Sequence, residues 1–234
     1  MNFQDKVVMI TGAAGSLGRS VGAAFSAAGA ALVLVDINDA ALKAAYPEAR
    51  DSRLCLAANL ADLDSVLNAV NTAMTRFGRI DILCNIAGGF RMGPPVHETA
   101  ADMWQLMMDM NAISVLNTAR AVVPRMLAAG SGKIVNVGAG AGQKGQANMG
   151  AYSASKAVVI RLTESMAGEL RDQGINVNCV LPSIIDTAQN RADMPDADPR
   201  RWVAPHDLAQ VILFLCSDGA RSIHGAAIPV TGLV

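Results

Sequence analysis

Aromatic residues are scarce in this 234-residue chain: two Trp, two Tyr and five Phe make up 4% of it, against 52% hydrophobic residues in all. The apolar content is therefore Ala, Val, Leu, Ile and Met spread over many buried elements, which suits a sheet covered by helices on both faces. Charge is thin as well, at 17% with a net −1, and no run of Lys or Arg exceeds two residues. That leaves no electrostatic footprint for a nucleic acid or an anionic membrane surface. Long apolar runs are missing too. The longest uncharged stretch lies between Arg19 and Asp36, contains Gly22, Ser26 and Gly29, and is shorter than the roughly 20 residues of a membrane span. Residues 1–6 show none of the regions of a secretory signal, so a cytoplasmic protein is expected. Cys55, Cys84, Cys179 and Cys216 stand far apart, with no C-x-x-C pair and no neighbouring His. Reduced thiols are expected, and no metal site.

What is present is alternation. Short β-branched runs near 7–10, 31–35, 53–56, 80–84, 133–137, 175–180 and 226–230 are separated by helical patterns near 17–28, 39–45, 62–77, 100–128, 151–172 and 205–215, the last opened by Pro205. Strand and helix in strict succession require right-handed crossovers. The expected fold is a single α/β domain over 1–234, a Rossmann-like, doubly wound parallel sheet of about seven strands with helices on both faces. Ligands of such sheets bind beyond the carboxyl ends of the strands. Segment 183–204, rich in Pro, Asp and Arg, reads as a lid over that edge.

The turn Thr11-Gly12-Ala13-Ala14-Gly15-Ser16-Leu17-Gly18 follows the first strand and opens a helix. Small residues there let backbone N–H groups and the positive helix end approach a pyrophosphate. The second strand ends at Asp36, eighteen residues past Gly18, where a carboxylate can bind the adenosine ribose hydroxyls. Asp36 also repels the extra phosphate of NADP, and no Arg follows within a few positions, so NAD is the expected cofactor. The competing reading of Asp36 is a turn cap. Tyr152 and Lys156 are four residues apart in a helical stretch and share a face. A phenol is a weak acid at neutral pH, and a nearby ammonium favours its ionised form, so Lys156 is expected to lower the Tyr152 pKa.

In order and spacing, the 11–18 turn, Asn85-Ile86-Ala87-Gly88, Asn111, Tyr152-Ser-Ala-Ser-Lys156 and the stretch Pro182 to Thr187 resemble the short-chain dehydrogenase/reductase family over nearly the whole chain. The resemblance implies an NAD-dependent oxidoreductase in which Tyr152 is the acid/base, Lys156 holds the nicotinamide ribose, and Asn111 anchors a water relay behind Lys156. It places Gly12, Gly15, Ser16, Leu17 and Gly18 at the pyrophosphate and Asp36 at the ribose. It further places Asn59 and Leu60 beside adenine, Asn85, Ala87 and Gly88 along the ribose side, and Pro182, Ile185 and Thr187 near the carboxamide. Small-molecule substrates are implied, with a homotetramer or homodimer packed through the long helices. The alternative reading of Asn85 and Asn111 is that they fasten neighbouring elements together.

Four positions depart from the family pattern: Ser16 stands where Gly is usual, Ile86 and Asn59 replace an Asn and an Asp, and Ala139, thirteen residues before Tyr152, replaces the serine that polarises a substrate carbonyl. Gln143, Gln146, Asn148 or a water could supply the missing donor; otherwise the substrate needs none. The lid stretch 187–198, followed by Trp202, is similar to that of dihydropteridine reductase, a family member without the serine, which implies a quinonoid or pterin-like substrate as one option. A second option is a dinucleotide-binding protein of weakened catalysis with a regulatory or partner-subunit role. Trp202 and Met194 read as lid packing or as substrate contacts, while His97, His206 and His224 have no partner that suggests chemistry.

Overall fold

The computed structural model describes residues 1–234. Seven parallel strands form one sheet: β1 Val7–Thr11, β2 Ala31–Asp36, β3 Arg53–Ala57, β4 Ile82–Asn85, β5 Gly132–Val137, β6 Ile175–Pro182 and β7 Ala227–Val230. Their order is β3-β2-β1-β4-β5-β6-β7. All seven coincide with the β-branched runs of the sequence. The helices between them are α1 Ser16–Ala27, α2 Asp39–Ala45, α3 Leu63–Phe77, α4 Ala101–Met108, α5 Ser114–Ala129, α6 Gly150–Leu170, α7 Ala188–Asp193 and α8 Pro205–Cys216.

The period-two alternation of each strand feeds two separate cores. Val8 and Ile10 of β1 with Leu32 and Leu34 of β2 meet Val21 and Phe25 of α1 and Leu208 and Ile212 of α8 on one face. Val7 and Met9 with Val33 and Val35 meet Val66 and Val70 of α3 and Val122 and Met126 of α5 on the other. A one-residue slip would exchange the two sets, so the register Val8↔Leu32 and Met9↔Val33 is strongly specified. Asp62 caps α3 by accepting from Asp64 N at 3.0 Å, and Pro205 opens α8 as expected.

The chain runs outward from β1 to β2 and β3, then returns across β1 to β4. The crevice at the carboxyl ends of β1 and β4 is the topological switch point, and it is there that the motif residues gather.

Candidate active site

The turn after β1 is tight for reasons local to two glycines. Gly12 has φ +62°, and a Cβ there would lie 2.8 Å from the Ala87 Cα; a Cβ on Gly18 would collide with the Gly12 carbonyl. Gly15 is under no such pressure, and Ser16 is simply the first residue of α1, half-exposed. The shift of Gly and Ser therefore leaves the turn intact. Thr11 Oγ1 accepts from Ile86 N at 3.0 Å and Ala87 N at 3.1 Å, tying the loop after β4 to the end of β1. No side chain caps α1. Its first N–H groups are left for an anion, and Leu17, buried in the core, can offer only its backbone.

Asp36 serves as the turn cap that was its competing reading: its carboxylate accepts from Ala14 N at 3.0 Å and from Asn38 N at 3.2 Å. A carboxylate has about four acceptor sites, so two stay open to a diol. Asn59 is exposed and spends its Oδ1 on Ala61 N at 3.1 Å, while the Leu60 carbonyl accepts from Asn117 Nδ2 at 2.9 Å. Asn85 fits its alternative reading, that of fastening neighbouring elements. Its side chain is buried, donates to Asn136 Oδ1 at 2.9 Å and accepts from Thr118 Oγ1 at 2.8 Å, and Asn136 passes the chain on to Thr163 Oγ1 at 2.9 Å. This polar thread fastens α5, β4, β5 and α6.

At the opposite wall, α6 presents Tyr152 and Lys156. Lys156 is 5% exposed, and its Nζ donates to the Val137 carbonyl at 2.9 Å. An ammonium has three donors, and no other protein acceptor takes one, so two point at an unfilled need for oxygen. Gly88 lies opposite: a Cβ there would be 3.1 Å from Lys156 Nζ and 2.7 Å from Asn111 Oδ1. Asn111 reaches this point where the helical stretch expected as one piece over 100–128 opens into a π-turn at Asp109–Ile113, between α4 and α5. Its side chain clasps Gly89 through N→Oδ1 at 3.0 Å and Nδ2→O at 3.1 Å, and donates to Ser155 Oγ at 3.1 Å. Ser155 in turn donates to the Tyr152 carbonyl at 2.8 Å. Asn111 thus joins the loop after β4 to the helix that carries Tyr152.

One electrostatic expectation is corrected. Burial pushes Tyr152 up to about 12, and in the protein alone Lys156 does not offset that rise, because its ammonium, lowered to about 8 by the same burial, is turned to the Val137 carbonyl. The Tyr152 hydroxyl makes no hydrogen bond within the protein, and its ring packs edge-on against Phe90 with centroids 4.9 Å apart. Ala139 is buried on the extended residue before the short helix Gly140–Gly142 and offers only a methyl group. Beside Tyr152 a crevice is lined by Arg91, Thr99, Met103, Asn148 and Met149 among others. All three side chains that could replace the missing hydroxyl are exposed, but only Asn148, at φ +60°, stands in that wall, and Gln143 and Gln146 do not.

The segment 183–204 is ordered by its own contacts. The Thr187 hydroxyl caps α7 by accepting from Asn190 N at 3.1 Å, Asn190 Nδ2 donates to the Ile185 carbonyl at 2.7 Å, and Ile185 bridges to Val203. Pro182 is buried at the end of β6. Trp202 is buried, at 7% exposed, in keeping with lid packing, and Met194 is half-buried. The helix α7 escaped the sequence, although Thr187 three residues before Asn190 is a capping signal. No helix is long and apolar enough to cross a membrane, and no cluster of His, Cys, Asp and Glu could hold a metal ion.

A glycine-pinned turn at an open helix end, a carboxylate closing the second strand and an under-bonded lysine facing a glycine at the switch point are the parts of a dinucleotide-binding oxidoreductase, and the residues fit such a ligand. The family model for short chain dehydrogenases matches residues 6–198. The chain belongs to that family. It is 35% identical to the cis-4-hydroxycyclohexanecarboxylate dehydrogenase of Sinomonas cyclohexanicum over 98% of this chain and 96% of the relative. It is 33% identical to the D-threitol dehydrogenase of Mycolicibacterium smegmatis over 98% and 93%. Among solved structures, NAD+-bound xylitol dehydrogenase superposes with a TM-score of 0.91 at 27% identity, covering 99% of this chain and 100% of that one. These relatives give the lid's likeness to dihydropteridine reductase no support.

Proposed function

We propose that this chain is an NAD(H)-dependent dehydrogenase of small alcohols and carbonyl compounds, with Tyr152 as its acid/base. The observation that carries the reading is the convergence of Lys156, Asn111 and Gly88 at the switch point, with a free Tyr152 hydroxyl on the same helix as Lys156. Relatives named for alcohol and polyol oxidation, and NAD in a solved neighbour, support it. NAD, when bound, supplies or accepts the hydride. Ser16, Leu17 and Gly18 offer backbone N–H groups to its pyrophosphate, Asp36 takes ribose hydroxyls with its two open acceptor sites, and Ala87, Gly88, Pro182, Ile185 and Thr187 flank the nicotinamide half. The spare donors of Lys156 hold the second ribose.

In the reducing direction the Tyr152 O–H gives its proton to the substrate oxygen, and in oxidation the phenolate takes it back. A phenol at about 12 needs a cation to perform the second step, and Lys156 is the only one buried in the site. Asn111 positions both through Ser155 and Gly89. Asn148 is assigned the donor role that Ala139 lacks, a role worth about a hundredfold in rate in other acyl and carbonyl chemistry. An electron-poor quinonoid ring, which needs no such donor, is the second reading, favoured only by Ala139. Exposed Trp104, Leu106 and Leu116 on the 101–129 helix are assigned to contacts between copies of the chain.

The test compares native protein with Tyr152→Phe. We expect NADH to bind both equally and turnover with ketones to fall by at least a hundredfold in the variant. Equal binding with no turnover by either, across ketones, quinones and a quinonoid dihydropterin, would replace this reading with that of a binding protein.

A further inference from the structure

Resting on the dehydrogenase reading, we propose that the substrate carries a carboxylate, held by Arg91 while its carbinol or carbonyl carbon lies at Tyr152. Arg91 is the single charged residue in the wall of the crevice beside Tyr152; the remaining lining is Gly, Pro, Ala, Met, Thr, Asn and Tyr. It makes no ion pair and no hydrogen bond. Six other arginines are paired with carboxylates (Arg50, Arg76, Arg79, Arg161, Arg191 and Arg200), and Arg19, Arg120, Arg171 and Arg221 are without a side-chain partner as Arg91 is; what sets Arg91 apart is that it alone of these stands at the crevice beside Tyr152. The only acidic residue in the loop of residues 86–99 is Glu98, and it faces His97 at 3.3 Å.

The backbone under Arg91 is fixed on both sides to the crevice itself. The Phe90 ring meets the Tyr152 ring edge-on at an interplanar angle of 83°, and Gly93 N donates to the Asn148 carbonyl at 2.8 Å. Between these two anchors, the exposed and unpaired Arg91 borders a wall of neutral groups. One such cation balances one negative charge, and its planar fork matches a carboxylate in two parallel hydrogen bonds. With no second cation beside it, a phosphate dianion would be left half-compensated. The ligand class is therefore a small hydroxy or oxo monocarboxylic acid, with a short spacer between the anion and the reacting carbon.

The experiment uses the full chain with NAD+ and matched probes, 3- and 4-hydroxycyclohexanecarboxylate and the corresponding carboxamides, which differ in charge and hardly in shape. We expect the acid to be favoured by about tenfold or more in kcat/KM, with KM carrying the difference. In Arg91→Gln that ratio falls to near unity, Arg91→Lys keeps part of it, and raising the salt concentration shrinks it in the native protein. A native ratio near one, or a ratio unchanged in Arg91→Gln, overturns the proposal. Should no probe turn over, the failure falls on these four probes and the dehydrogenase reading is left to its own test with Tyr152→Phe. The anion site is then judged by titrating NADH-loaded protein with cyclohexanecarboxylate and cyclohexanecarboxamide, followed by NADH fluorescence. Tighter binding of the acid that is lost in Arg91→Gln supports it, and equal binding of acid and amide overturns it.

Discussion

Lys156→Met should change the pH dependence of stability by an amount that follows from burial. In the folded protein the Lys156 ammonium is held down to about 8, while in the unfolded chain it has its ordinary value of 10.5. Between those two values the unfolded chain binds the extra proton, so stability rises with pH across that window, and the cost of burying the charge is felt in full below it. A fall from 10.5 to about 8 corresponds to about 3 kcal/mol. Methionine fills much the same space without a charge and removes both the cost and its pH dependence. The Val137 carbonyl loses a donor at the same time, a penalty of about 1–3 kcal/mol that does not vary with pH. Urea unfolding of native and variant protein at intervals from pH 7 to 11, without cofactor, gives the difference in stability between them, in which the titrating groups remote from Lys156 cancel and the neighbouring Cys179 thiol, pushed up to about 11 by burial, matters only at the top of the range. We expect that difference to move by about 3 kcal/mol in favour of the native chain on going to high pH. A difference that stays constant within about 0.5 kcal/mol would refute the buried, depressed lysine.

Asp36→Ala removes the acceptor for Ala14 N as well as the ribose partner. NADH binding should weaken by roughly tenfold or more and the preference over NADPH should narrow; an unchanged NADH to NADPH ratio in fluorescence titration would count against the ribose assignment. Ala139→Ser should raise ketone reduction by about tenfold if Asn148 is an imperfect substitute, and in that background Asn148→Ala should cost less than it does alone. Asn85→Leu should lower stability by about 2–4 kcal/mol in urea unfolding, because Thr118 and Asn136 each lose a buried partner, even where the cofactor still binds.

The strands were legible because a doubly covered parallel strand is a near-continuous apolar run, and Ala31 to Val35 or Cys179 to Leu181 can be little else. The two glycines that matter in the first turn were legible for a similar reason: their constraint is backbone approach, which the one-letter code records directly. The π-turn at Asn111 was not. Residues 101–129 carry one continuous helical period, and the extra residue is accommodated by contacts with Gly89 and Ser155 that are remote in sequence. The fastening role of Asn85 was open from the sequence but its partner was not, because its neighbour in the sheet, Asn136, is fifty-one positions away. Two asparagines in register on adjacent buried strands satisfy each other, and that pairing becomes visible only once β4 lies beside β5. The pKa of Tyr152 was misjudged for a related reason: helical spacing places Lys156 on the same face, while the direction of its amine is set by Val137, on a different element.

The direction of that amine leads to a last expectation, concerning cofactor affinity. If the ribose hydroxyls accept from the spare Lys156 donors, the complex favours the protonated amine and lifts its pKa above the value of about 8 in the free protein. Binding is then linked to a proton. Up to about pH 8 the lysine is charged in both states and the Kd for NADH should be constant. Above that the free protein gives up the proton first, and affinity should fall by close to tenfold per pH unit until the pKa of the complex is passed. In Lys156→Met the affinity should be weaker and flat over the same range, whereas a residue that merely packed the site would shift the Kd without bending its pH profile. NADH serves better than NAD+ here, because its nicotinamide carries no positive charge to repel the ammonium. A native profile that is level from pH 7 to 10 would mean that Lys156 does not hold the ribose, and the spare donors would have to find their acceptors in the protein after all.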